Sequence, residues 1–68
     1  MINWISINNK PSESKEYLVE YHEYFGIEYI KGYKIIQWDN DFKLEQRQKA
    51  YRYAEVPEHI QLLRQQIS

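Results

Sequence analysis

Glu16-Tyr17-Leu18-Val19-Glu20-Tyr21-His22 is the stretch whose reading decides the fold. Tyr17, Val19 and Tyr21 alternate with Leu18, Glu20 and His22, the period-two pattern of a half-buried strand. Residues two apart on a strand share a face, so one side of this segment is directed to a core. Upstream, Ile2 to Ile7 reads as a short strand rich in β-formers. Asn8-Asn9-Lys10-Pro11-Ser12 joins the two, and Pro11 pushes Lys10 into an extended conformation. Ser12 or Ser14 is placed to cap a brief helical turn before the second strand.

Downstream, Tyr24-Phe25-Gly26 interrupts the alternation, and Gly26 supplies a permissive turn residue. Ile27 to Ile30 and Tyr33 to Trp38 are extended runs on either side of Gly32, where a bulge or strand break is expected. Asp39-Asn40-Asp41 is a strong turn signal, with Phe42 and Leu44 continuing as a return strand. Between positions 42 and 55 the signals compete. Glu45 to Ala50 favours helix by propensity, yet Phe42, Leu44, Tyr51 and Tyr53 give only a fragmentary helical stripe. The preferred reading is a polar hairpin loop followed by a strand from Ala50 to Val56. Pro57 suits the first turn of a C-terminal helix, along which Ile60, Leu63 and Ile67 stand at i, i+3 and i+7. The expected architecture is α+β: one domain over residues 1–68, an antiparallel sheet of four to five strands, and the helix packed on one face. Ile60, Leu63 and Ile67 are expected to bury against strand residues such as Val19, Ile35 or Trp4.

Length limits what holds such a fold together. A core built from 68 residues supplies only about 3–5 kcal/mol net. With no cysteine, neither disulfides nor thiolate metal sites contribute, and two histidines are too few for a structural zinc site. That leaves aromatic packing and self-association. Eleven aromatics, seven of them tyrosine, each bury roughly 150–250 Å² when enclosed. A twofold homodimer is the expected assembly, given the small core, the β edges and the aromatic surplus. No stretch reaches the roughly 20 apolar residues that span a bilayer, and the N-terminus lacks the pattern of a secretory leader. The cytoplasm is the expected compartment.

The opening Trp4-Ile5-Ser6-Ile7, a proline-containing turn, and Glu16-Tyr17-Leu18-Val19 resemble a family of small phage and prophage proteins. Members open on Trp-Ile-Ser-Val, continue through a Leu-Pro turn to a Tyr-Val-Leu-Val-type strand, and close on Trp-x-Pro-Leu-Pro. Tyr53-Ala54-Glu55-Val56-Pro57 is a degenerate match to that last motif, with tyrosine for its tryptophan. The likeness touches scattered points of positions 3–57 and leaves Glu58 to Ser68 outside. It implies a compact β-rich domain of viral or prophage origin, located in a bacterial host, and it implies no activity.

The residues themselves carry little catalytic chemistry. None of the four serines lies in a Gly-x-Ser-x-Gly elbow, and the two glycines form no phosphate loop. His22 and His59 are the only conventional bases, and Asp39 and Asp41 in Asp-Asn-Asp read as turn builders. No enzyme activity, cofactor or metal is expected. Binding remains. Net charge is −1, but Glu13, Glu16, Glu20, Glu23 and Glu28 cluster early while Lys43, Arg47, Lys49 and Arg52 cluster late. Aromatics in excess of the core point to a protein interface, placed on Tyr24, Phe25, Tyr29 and Trp38 with Arg47 and Arg52 at its rim. The expected function is that of a phage or prophage accessory protein that binds and inhibits a host protein, an antiviral-defence component being the class of target. The alternative is weak binding of single-stranded nucleic acid through Lys49, Tyr51, Arg52 and Tyr53. Two features weigh against it. Regular alternation puts Tyr51 and Tyr53 on one face and Arg52 on the other, and the acidic segment 13–28 repels a polyanion if it shares the binding face.

Overall fold

The computed structural model describes residues 2–67, with side chains as far as Leu63. The strands are β1 (Ile5–Ser6), β2 (Glu16–Phe25), β3 (Glu28–Gln37) and β4 (Gln48–Ala54), followed by helix α1 (Glu58–Ile67). They form one four-stranded sheet in the order β1-β4-β2-β3, antiparallel at every pair.

The alternating stretch that opens β2 lies at the centre of the sheet. Its partner β3 follows through the two-residue turn Gly26-Ile27, with Phe25 opposite Glu28. Of these two turn residues only Gly26 has positive φ, at 69°, the requirement of the hairpin turn whose twist matches the strands. β3 runs unbroken through Gly32, where the ring of Tyr21, its cross-strand partner, lies across the missing side chain. The expected bulge is in β4 instead. Glu20 pairs with Arg52 and Tyr21 with Ala50, leaving Tyr51 as the extra residue.

One face of the sheet carries the core. Tyr17 and Val19 of β2 and Tyr53 of β4 are buried there with Trp38 and Phe42, and Ile7, Ile36 and Ala50 pack at the margin. Trp38 and Phe42 come from the loop after β3, which folds back as a roof. Asn40 adopts φ 68°, and Asp41 Oδ1 accepts a hydrogen bond from the Phe42 N–H at 2.9 Å. The Asp39–Asp41 turn is therefore as expected, but Phe42 and Leu44 do not form a return strand. Only an isolated bridge joins Trp38 and Phe42, because both rings turn into the core, 4.8 Å apart. The Tyr53 hydroxyl donates to the Asn9 carbonyl, tying the first loop to the same core.

Other expectations shift in extent. β1 is two residues long, Ile5 pairing with Tyr53 and Ser6 with Arg52, and the Ile7 N–H adds one bond to the Tyr51 carbonyl at 3.4 Å. Residues 12–14 form bends without a helical turn. The ambiguous segment 42–55 resolves into a polar turn and a strand that begins at Gln48. Pro57 sits just before α1, its carbonyl accepting from the Ile60 and Gln61 N–H groups. Among the described residues α1 approaches no strand closely, and Leu63 is 55% exposed. Its expected burial is not observed: the roof of Trp38 and Phe42 already covers Val19. Ile67 lies outside the residues whose side chains are described.

Candidate functional site: an open aromatic face

The second face of the sheet carries Leu18, Glu20, His22 and Tyr24 from β2, with Ile35, Tyr33, Lys31 and Tyr29 opposite them on β3. Ala54, Arg52 and Lys49 face them from β4. Tyr51 joins this side too. Its ring stacks on His22 at 4.5 Å, and Tyr29 stacks on the other side of the imidazole at the same distance. His22 is thus the buried centre of a three-ring stack drawn from three strands. Tyr24 extends the cluster, 5.5 Å from Tyr29, with Lys49 Nζ 5.9 Å from its ring centre. The exposed fractions of Tyr24, Tyr29, Tyr33 and Tyr51 are 36%, 48%, 57% and 52%.

A buried acid lies beneath. Glu20 is fully enclosed. Its Oε1 accepts from Arg52 Nη2 at 2.9 Å and from the Tyr33 hydroxyl at 3.0 Å. Burial pushes the Glu20 carboxyl up, but those two hydrogen bonds and the positive charges of Arg52 and Lys31 outweigh it and hold the group below its ordinary value. The Glu20 hydrogen bond in turn holds the Arg52 guanidinium more firmly protonated. Trp4 closes the arrangement from above, its ring 4.5 Å from Arg52 Cζ and 6.0 Å from Tyr33. Glu20 Oε2 lies 3.9 Å from His22 Nε2, and neither atom has a hydrogen-bond partner among the described residues.

The expected interface residues divide. Tyr24 and Tyr29 come together on the open face. Phe25, one residue further along β2, falls on the opposite side. Trp38 is only 8% exposed and belongs to the core, so it is removed from the interface. Arg47 is exposed, and its backbone carbonyl accepts from the Tyr24 N–H at 2.9 Å. Arg52 is engaged by Glu20 and Trp4 rather than standing at a rim. In the alternative set, Lys49, Tyr51 and Arg52 share the open face, whereas Tyr53 is 3% exposed in the core and is removed. Tyr33 belongs to the aromatic surplus but not to the expected interface, and Lys31 and the His22 stack were not expected there. The even-numbered alternation of His22 with Tyr24 was available; the bulge that brings Tyr51 to them was not.

The acids are sorted as well. Glu23 and Glu28 lie on the core face by register, and Glu23 is bonded to Gln48 at 2.6 Å. Glu13 and Glu55 pair with Lys15 at 3.8 and 2.7 Å. Glu16 shares the open face with Tyr24 but is eight residues away along β2, roughly 26 Å at strand rise. The charged residues flanking the tyrosine cluster on the open face are therefore Lys31 and Lys49.

Among the described residues no group of three His, Cys, Asp or Glu is placed to hold a metal ion, and no helix is long and apolar enough to cross a membrane. In comparison with known proteins, no family model, curated protein or solved structure matches this chain. The site is read from its own geometry.

Proposed function

We propose that the chain is a binding protein of phage or prophage origin that inhibits a host protein by occupying it, with the open aromatic face as its contact surface. The viral origin, and a component of antiviral defence as the class of target, rest on the sequence resemblance and are analogy. The contact surface rests on one observation. Tyr24, Tyr29, Tyr33 and Tyr51 stand partly exposed on a sheet face whose centre, His22 and Glu20, is already packed and paired. Such a surface is preorganised: the rings are held by stacking, so little rotamer freedom is lost on contact. Tyrosine and arginine are the residue types that anchor interfaces. Inhibition by occupancy requires only this patch and no chemistry.

Pull-down from bacterial lysate, followed by reconstitution with the purified partner, tests the proposal. Tyr29→Ala with Tyr51→Ala should weaken the complex at least tenfold while the circular dichroism spectrum is retained. Full affinity in that double variant refutes the placement, and absence of any stoichiometric partner refutes the function.

A second reading is favoured by the bulge. Because Tyr51 is the extra residue, it shares a face with Arg52 and Lys49. Of the acids on that face, Glu20 is buried against Arg52 and Glu16 lies eight residues from Tyr24 along β2. A single-stranded nucleic acid would stack bases on Tyr24, Tyr29 and Tyr51 while Lys31 and Lys49 hold phosphates. Fluorescence anisotropy with a labelled oligonucleotide should then show binding at low salt that falls steeply as salt rises. A flat titration at low salt removes this reading.

A further inference from the structure

β3 ends the sheet, and among the described residues no strand lies beyond it. It is ten residues long, without proline, against two residues for β1 at the other edge. The tight turn makes Phe25 and Glu28 a hydrogen-bonded pair. The N–H and C=O groups of Glu28, Ile30, Gly32, Lys34 and Ile36 then point toward β2, and those of Tyr29, Lys31, Tyr33, Ile35 and Gln37 point outward. The Trp38 N–H bonded to the Lys15 carbonyl at 2.9 Å continues the same alternation. A row of outward donors and acceptors on a long, regular edge is a template for another strand.

We propose that the occupant of this edge is β3 of a second copy, paired antiparallel about a twofold axis at Gly32. In this register Lys31 of each copy stands opposite Tyr33 of the other, Tyr29 stands opposite Ile35, and Gly32 faces Gly32. Outward-pointing residues meet outward-pointing residues, so the ladder closes in hydrogen-bonded pairs. The charge pattern selects the register. A shift of two residues one way puts Lys31 against Lys31, which repels. The same shift the other way puts Lys31 against Ile35. Of these three registers only the Gly32-centred pairing gives Lys31 an aromatic ring, and Tyr33 is exposed enough to receive it. A register centred on Ile30 would set Lys31 against Tyr29 but would overlap only residues 28–32 of the ten-residue strand. The remaining lysine of β3 is no obstacle. Lys34 Nζ is drawn back over the sheet, 2.8 Å from Gln48 Oε1 and 5.0 Å from the Tyr21 ring centre. The product is an eight-stranded sheet that joins two open faces into one surface and leaves only the two-residue β1 strands as edges. This inference concerns the edge and does not depend on what the open face binds.

Sedimentation of the full chain at tens of micromolar should return about twice the 8.4 kDa chain mass. Lys31→Pro removes an outward N–H and leaves the β2 ladder untouched, so it should weaken association at least tenfold with the β-sheet spectrum retained. Because the chain has no cysteine, the register can be read by oxidative crosslinking. A mixture of Lys31→Cys and Tyr33→Cys proteins should form the mixed disulfide dimer, and neither protein should crosslink efficiently alone. A wild-type monomer overturns the proposal. A dimer in which Lys31→Cys or Tyr33→Cys crosslinks alone, or in which the mixture fails to crosslink, overturns the register.

Discussion

Replacing Gly32 by alanine probes how β2 and β3 fit together. An ideal Cβ built at Gly32 falls 2.9 Å from Tyr21 Cε1 and closer still to its Cζ and Oη. Two effects oppose each other. Alanine in a strand is favoured over glycine by roughly 0.5–1 kcal/mol, because less backbone freedom is lost on folding. Against this, the methyl group must push the tyrosine ring aside, an overpacking that costs about 1–3 kcal/mol. The ring would also leave its place beneath Lys34 Nζ. Overpacking outweighs the gain in backbone entropy, and Gly32→Ala should destabilise by about 1 kcal/mol, or roughly 4–8 °C in Tm for a domain of this size. In a Tyr21→Ala background nothing occupies that space, so the same substitution should be neutral or stabilising by about 0.5 kcal/mol. Urea denaturation of the four proteins in the cycle gives the coupling directly. Additivity within about 0.5 kcal/mol would refute the claim that the Tyr21 ring dictates glycine at this position.

Three further outcomes follow from the same structure. Glu20 is depressed below its ordinary value in the folded state, so its contribution to stability is fully present above the unfolded carboxylate pKa and is lost as pH falls through the folded one. The urea midpoint should therefore fall as pH is lowered through and below the ordinary glutamate value of about 4.3, and Glu20→Gln should flatten that slope; an unchanged slope would show that other carboxylates carry it. Trp38→Ala should cost about 3–5 kcal/mol, enough to unfold much of the population, whereas Leu63→Ala on exposed α1 should stay within about 0.5 kcal/mol; thermal melts showing the reverse would mean that the helix, not the loop, roofs the core. Gly26→Ala places a side chain at φ 69° and should lose about 1 kcal/mol, read from the same melts.

The parts of the fold that were legible in the sequence are those set by local pattern. Tyr17, Val19 and Tyr21 against Leu18, Glu20 and His22 announced the central strand, and Asp39-Asn40-Asp41 announced the turn, because alternation and turn chemistry act within a few residues. What misled was tertiary. Gly32 marks the seat of a cross-strand ring rather than a break, and nothing near it in sequence shows Tyr21. Trp38 looked like surface because its run is extended, yet Asn40 in the left-handed region swings it with Phe42 over Val19. The bulge at Tyr51 leaves no local mark, since no glycine or proline flags it. Missing it placed Tyr51 with Tyr53, when one tyrosine serves the core and the other the open face. The apolar stripe of α1 was real, but periodicity does not reveal whether a partner surface is vacant.

The sheet keeps its two jobs on opposite sides of one backbone. Val19, Tyr53, Trp38 and Phe42 hold the molecule together on one side, while Tyr24, Tyr29, Lys31, Lys49 and Tyr51 are presented on the other. Substitutions among the second group leave the first untouched, since neighbouring residues along a strand project apart. For the binding role proposed above, the residues of the open face can thereby be rewritten one at a time without losing the folded state. That is the property required when the surface being matched is itself changing, and it makes the five positions natural sites for a randomised library aimed at new partners.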